Sequence, residues 1–379
     1  MLLGANTPKK RIKLSLGGGI SAASLPIKSR LSSDDAPPLN ANSVARTGFD
    51  NTENLDGIDI FLPRIGVTYN ATDDLVLRCG VGRYTGGQPN VWIANAYSNN
   101  GVANGGFRLR GSDVPLPSDI ILNPLQAGLD ALVGATSNGN VNLNDPNFEL
   151  PNDWRYQIAA DYTFSIDGIV EDAVWTNEFL HIKRNDAPFW VDAGIADDVI
   201  GTAADGQRLL YNDDGDDVFD IMLTNAGDGG RSNIFSTQLS AAWESGVRAT
   251  ASYTNQDVTE VAPGTSSRAI SNYRFSTGIN RNDPSTHLGP GNFEIEHRLV
   301  FNISYTMEFF AGYDTDFNLF YERRSGQNIS YLANFDTNGV RDLLAPDAGS
   351  GNYLAYIPTA NDPNVVYSGV SEAEVLAAS

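Results

Sequence analysis

Three histidines and one cysteine are all that this sequence offers for metal or thiol chemistry. No pair among His181, His287 and His297 has zinc-ligand spacing, and Cys79 alone cannot build a thiolate site. Gly17-Gly18-Gly19 lacks both the preceding strand and the Lys-Ser/Thr ending of a phosphate loop. Serine and aspartate are plentiful, yet no strained nucleophile elbow is visible. Asp213-Asp214-Gly215-Asp216-Asp217 and Asp336-Thr337-Asn338-Gly339 look loosely like calcium loops. Neither supplies the ligand series that ends in a bidentate Glu, so they read as solvated loop acids. The expectation is a chain that is not an enzyme, with no catalytic residue, no metal site and no cofactor. What remains is binding chemistry. Arg83, Tyr84, Trp92 and Tyr97 bring a guanidinium and three rings to the end of one segment and the start of the longest irregular stretch. There they can contact a peptide, sugar or other small ligand, or pack that stretch down.

The segments carrying these residues alternate in polarity at every position. From Trp154 to Phe164, the residues Trp154, Tyr156, Ile158, Ala160, Tyr162 and Phe164 share one face. Arg155, Gln157, Ala159, Asp161 and Thr163 take the other, which is strand periodicity. Pro63–Tyr69 and Leu75–Gly82 form a hairpin across the turn at 70–74, whose Asn, Thr and Asp residues bond their own backbone. Further pairs are Trp154–Phe164 with Ala173–Ile182, Phe235–Trp243 with Val247–Tyr253, and His297–Thr306 with Asp316–Glu322. Short turns alternate strictly with long polar excursions at 85–153, 183–231, 255–296 and 325–379. Within them, 120–132 reads as a short helix and 218–224 as a small hairpin. The domain division expected is a weakly structured strand and loop over 1–54, then one β domain over 55–379.

Local alternation alone fits either a soluble sandwich or a membrane barrel, because only the solvent of each face differs. Short turns at one end and long loops at the other favour the barrel. Irregular stretches of this size would be unusual in a compact soluble domain. Tyr and Phe number 15 and 17, a heavy load for so polar a chain. Tyr69, Phe164, Trp175, Trp243 and Tyr305 lie near the short turns, where a membrane-interface girdle belongs. No Lys, Arg, Asp or Glu falls on the apolar faces, whereas Arg64, Arg78, Arg155, Asp161, Arg248 and Arg298 fall opposite. Cys79 sits on an apolar face and reads as a small lipid-facing filler. The net charge of −21 argues against nucleic-acid partners, which need clustered Lys and Arg. No apolar run reaches the ~20 residues of a membrane helix. Met1–Ala5 is too briefly apolar to read as a signal peptide.

Pro63-Arg64-Ile65-Gly66, Arg83-Tyr84-Thr85-Gly86-Gly87, Asn90-Val91-Trp92, Asn95-Ala96-Tyr97-Ser98-Asn99 and Leu150-Pro151-Asn152-Asp153-Trp154 stand in an order that resembles TonB-dependent receptors, particularly the Oar-like branch. Pro263-Gly264-Thr265-Ser266-Ser267, His297-Arg298, Phe320-Tyr321 and Tyr356-Ile357-Pro358 extend the resemblance from about Leu55 to Asn364. It implies an antiparallel transmembrane β-barrel of about 22 strands around an N-terminal plug, driven through the TonB system to take up a ligand. Here only eight to ten strands are expected, with the plug and C-terminal strands absent, so the chain resembles an interior part of such a barrel. Its expected partners are outer-membrane lipid, the TonB system and an unidentified small ligand, peptide or glycan, with no nucleic acid. The expected location is the bacterial outer membrane. Two alternatives stay open: a small passive outer-membrane barrel, and a surface-display or adhesin β protein.

Overall fold

The computed structural model of the chain describes residues 12–22, 36–56, 58–85, 89–102, 140–195, 199–203, 205–211, 219–262, 264–333, 353–363 and 365–378. Consecutive hairpins dominate it. The strands are β1 (Ile12–Ala22), β2 (Asp59–Asn70), β3 (Leu75–Thr85), β4 (Val141–Asn144), β5 (Asn152–Ile166), β6 (Val170–Asp192), β7 (Val199–Thr202) and β8 (Leu209–Tyr211). They continue as β9 (Asp220–Ala242), β10 (Val247–Glu260), β11 (Gly289–Pro290), β12 (His297–Phe310) and β13 (Tyr313–Arg324). Nine of them make one antiparallel path in the order β1-β2-β3-β5-β6-β9-β10-β12-β13. Among the described residues β1 and β13 do not pair with each other, so the sheet is an open part of a barrel wall. The four expected hairpins of the wall are present, and β1 pairs with β2 from Ile12↔Tyr69 to Ala22↔Asp59.

Register turns the alternation of single strands into two continuous surfaces. One row runs Leu75↔Tyr162↔Trp175↔Leu239↔Ala251↔Phe301↔Tyr321 across seven strands without a polar residue. Its neighbours Ile158 and Leu319 are 62% and 59% exposed to solvent in the isolated chain, and nothing in the described protein covers this face. Such a surface requires an apolar solvent, which in a barrel is lipid. The other face carries Arg78, Asp161, Thr176, Gln238, Ser252 and Glu322 at the alternate positions. Near the short turns, Trp175 Nε1 donates to Thr237 Oγ1 at 2.8 Å and Trp243 Nε1 to the Ile169 carbonyl at 2.6 Å. Rings held this way have an apolar body and a satisfied polar tip, as an interface girdle demands.

The β9–β10 turn has one steric requirement. Gly246 sits at φ +87°, and a Cβ there would lie 2.3 Å from the Thr306 carbonyl oxygen of β12. Gly246→Val is therefore expected to cost ~1–3 kcal/mol in strain and to loosen the β9–β10–β12 junction. Hydrogen exchange should show faster exchange at 243–250 and 304–306, with β2 and β3 unchanged. An unaltered pattern contradicts this reading of the turn.

At the opposite end the expectation of loops is corrected. The stretch 183–231 is not one irregular excursion, because β6 continues to Asp192 and β9 begins at Asp220, still paired at Asp192↔Ile221. Each of these strands has 23 residues, about twice the 9–11 needed to cross a bilayer. Their outer halves hide from alternation for a physical reason. Covered on both faces, they carry consecutive apolar residues (Phe189-Trp190-Val191 and Ile221-Met222-Leu223) in place of an in–out pattern. Among the described residues no hairpin forms over the 219–224 part of the stretch expected to hold one, since 220–224 belongs to β9; a small hairpin is instead β7–β8. Beyond β10, β9 gains a parallel partner in β4, from Val141↔Asp220 to Asn144↔Leu223. The helix expected at 120–132 lies outside the described residues.

Around this two-strand stem the long excursions fold into a lobe. Leu55, Ile93, Phe148, Trp190, Phe219, Ile221, Leu223, Ala269 and Tyr273 form its main buried cluster. Helix α1 (Ala41–Thr47) is capped by Asn40, whose side chain accepts from the Asn42 and Ser43 amides. Asparagine side chains replace the missing ladders elsewhere. Asn51 Oδ1 accepts from the Asn40 amide and its Nδ2 donates to the Pro38 carbonyl. Asn144 donates to the Glu53 carbonyl, and Asn225 to those of Glu149 and Asp186. Buried loop backbone must find such partners.

Candidate ligand passage

The polar face of β2, β3 and β5 holds a concavity of ≈ 650 Å³. Its shape follows from register. Arg64, Gly82 and Arg155 are direct neighbours on three strands. Two residues further along β3, the Tyr84 ring lies back over Gly82, where an added Cβ would come within 3.0 Å of it. That places the ring between two guanidiniums, with Arg64 Cζ 4.2 Å and Arg155 Cζ 4.9 Å from its centroid. Each cation–π contact contributes about 0.5–1 kcal/mol at an exposed site. Arg155 also donates to Asp153 at 3.1 Å, whereas Arg64 has no acidic partner among the described residues.

Deeper in the wall the charges neutralise one another. Arg78 binds Asp161 through two contacts, at 3.0 and 3.1 Å, and Thr176 Oγ1 donates to the same carboxylate at 2.9 Å. Further round, Arg298 Nε donates to Glu322 at 2.8 Å. These charge-assisted contacts, two-pronged at Arg78 and single at Arg298, fix side chains along a surface that water can wet.

The four residues singled out in the sequence do not converge. Adjacent residues of a strand point to opposite faces, so Tyr84 lines the inner concavity while Arg83 shares the apolar side with Leu77 and Val81. Arg83 Nε donates to Asn152 Oδ1 at 2.9 Å. Trp92 and Tyr97 belong to helices α2 (Asn90–Ile93) and α3 (Asn95–Ser98) of the lobe. Trp92 meets Trp190 edge to face, with centroids 5.1 Å apart, and its Nε1 donates to the Ser266 carbonyl at 2.7 Å. Arg64, Gly82 and Arg155 form the Tyr84 cradle and escaped the sequence reading, although their shared polar face was visible. Their alignment becomes apparent only once register is known. The two acidic loop motifs, 213–217 and 336–339, lie outside the described residues.

His287, in the connection between β10 and β12, is 5% exposed. Its ring packs edge-on to Phe189 at 4.9 Å and directly over Gly278, where a Cβ would meet it at 2.3 Å. Nδ1 pairs with the Asp283 carbonyl at 3.0 Å, and burial holds the imidazole below its usual pKa of 6.5. A histidine whose folded pKa is depressed favours unfolding wherever the unfolded chain takes up the extra proton. Its contribution is therefore complete above about pH 6.5 and declines as the pH falls below that value. Proteolysis of the lobe is expected to accelerate on acidification through this range, and His287→Phe should flatten that dependence. An unchanged pH profile in the variant would assign the effect elsewhere.

An open antiparallel sheet with one lipid-compatible face, one wet face, short turns at one end and folded loops at the other defines the wall of an outer-membrane β-barrel. The family model described as "Outer membrane beta barrel domain" matches residues 30–321, and the chain belongs to that family. This places it in the bacterial outer membrane. No curated protein sequence is detectably similar to it. Among solved structures, the outer membrane transporter YddB from Escherichia coli aligns over 74% of this chain and 31% of its own, at 10% identity and a TM-score of 0.42. The siderophore receptor PirA from Acinetobacter baumannii aligns over 71% of this chain and 29% of its own, at 11% identity and a TM-score of 0.38. The ferric enterobactin receptor PfeA from Pseudomonas aeruginosa gives 65%, 26%, 10% and 0.36 in the same order. The chain thus spans less than a third of the length of each.

Proposed function

We propose that this chain supplies part of the wall and outer lobe of a TonB-dependent importer, in which energy from the inner membrane drives uptake of a ligand. The observation that carries the reading is the pairing of a charged, wettable inner wall with a folded lobe at its outer end. A wall built for display alone has no use for an inner face bearing the Arg64–Tyr84–Arg155 cradle. The resemblance of the sequence motifs to TonB-dependent receptors supports the same reading. The ligand meets Trp92, Tyr97 and Arg83 around the lobe and rim, then Tyr84 inside the passage. A small passive barrel is disfavoured because, among the described residues, β1 and β13 at the ends of the path do not pair with each other.

The test compares growth on a nutrient and iron-source array for cells with and without the gene, each with TonB intact or deleted. At least one source is expected to require both. A gene-dependent source still used without TonB would establish a passive channel instead, and no gene-dependent source at all would remove the importer reading. For the contact residues, Trp92→Ala combined with Tyr97→Ala should depress uptake of that source; unaltered uptake would confine both rings to packing.

A further inference from the structure

Inside the lobe a second, smaller cavity of ≈ 310 Å³ lies between α3, β4, the start of β9 and helix α4 (Ala269–Arg274). Its floor is apolar, from Phe219 and Ile221, and its walls are carboxamides, from Asn95, Asn99 and Asn142. The amides fall into two groups. Asn95 is fully engaged in construction: Nδ2 donates to the Val91 and Ser267 carbonyls and Oδ1 accepts from the Ala269 amide, tying α3 to α4. Asn142 is different. It is 6% exposed, shares a face with its ladder partner Ile221, and its side-chain amide has no partner among the described residues. Its amide opens into the cavity, where water or a ligand can satisfy it. At the mouth stands Arg268, exposed and without an acidic partner, and no acidic side chain lines the cavity among the described residues.

We propose that this pocket binds one sugar ring bearing a carboxylate, a uronic acid or a glycan ending in one. The carboxamides of Asn99 and Asn142 offer both donors and acceptors, the combination that vicinal hydroxyls need and that neither a fatty nor a purely anionic ligand uses. The apolar floor suits the C–H face of a pyranose. The volume stands at the lower end of ligand pockets, about 300–1,000 Å³, and so holds a single ring. Arg268 supplies a planar fork for the carboxylate on a chain whose net charge is −21. Strand addition by a peptide beside β4 is disfavoured, since β4 pairs with β9 on one side and on the other the Asn142 amide already donates to the Asn99 carbonyl.

The pocket is independent of the transport reading, because binding by the purified chain does not require import. The full chain, in a zwitterionic detergent free of sugar headgroups, is titrated with D-glucuronate, D-glucose and acetate by saturation-transfer NMR and calorimetry. D-glucuronate is expected to bind with a Kd on the order of 1 mM. D-glucose should bind about tenfold more weakly and acetate not measurably. Asn142→Leu should weaken both sugars about tenfold, and Arg268→Ala should bring D-glucuronate down to the level of D-glucose. Arg268 is exposed, so that variant decides the matter even if Asn142→Leu disturbs the lobe. No D-glucuronate binding up to about 50 mM overturns the proposal. So does equal binding of acetate, equal binding of D-glucose, or an affinity that Arg268→Ala leaves unchanged.

Discussion

Leu239→Arg is expected to destabilise the chain in a bilayer by ~2–4 kcal/mol, whereas Gln238→Arg, one residue away, should be close to neutral. Leu239 lies in the middle of the apolar row, between Trp175 of β6 and Ala251 of β10, while Gln238 faces the polar side between Thr176 and Ser252. A guanidinium at the first position must enter hydrocarbon or drag water in with it; at the second it is already hydrated. In a soluble sandwich, burial of the apolar face would also make Leu239→Arg costly, so the unfolding is followed on chain inserted in vesicles, which a soluble sandwich would not enter. Guanidinium unfolding in vesicles, followed by tryptophan fluorescence, should show the large difference between the two variants. Equal costs at both positions would mean that the faces are not distinguished by lipid.

Asp220→Ala should release the outer lobe while leaving the sheet intact. Asp220 is 1% exposed and accepts two hydrogen bonds from Arg46, at 2.8 and 3.0 Å, plus one from Ser43 Oγ at 3.2 Å. It joins α1 to the outer end of β9, beside Asp192, whose Oδ1 accepts from the Gly194 amide. Removing the buried carboxylate takes away two charge-assisted hydrogen bonds from Arg46 and one from Ser43, and is expected to cost about 1.5–3 kcal/mol. Limited proteolysis is expected to cut within 36–56 in the variant, with β2–β3 and β12–β13 still protected. Asp220→Asn should fall in between, because it keeps part of the hydrogen bonding without the charge. Protection of 36–56 equal to that of the parent chain would show that α1 is held by something else.

The sheet was legible in the sequence and the lobe was not, for one reason. Between Trp154 and Phe164, or Phe235 and Trp243, each face meets a different solvent, and that difference is written as strict alternation. At Phe189-Trp190-Val191 both faces meet protein, so alternation vanishes and the strand passes for irregular chain. The same blindness affected β4, whose four residues are all buried. The lobe's polar connections, such as Asn51 to Pro38 or Asn225 to Glu149, link residues through space and leave no periodic trace. Of the candidate contacts, the sequence placed Tyr84 at a strand end but could not reveal its partners, because Arg64 and Arg155 meet it only through register. Arg83 shows the converse: proximity in sequence put it beside Tyr84, and the strand put it on the other face.

Cys79 offers the most direct test of the membrane account. It is the chain's single cysteine, exposed on the apolar face and paired in register with Ile158. A nitroxide attached there in native outer membranes should collide freely with oxygen, which dissolves in hydrocarbon, and hardly at all with a water-soluble nickel chelate. Gln157→Cys on a Cys79→Ser background should give the opposite ranking. If the Cys79 label is shielded from both reagents, or prefers the nickel chelate, that face packs on protein or touches water, and the chain is not a barrel wall.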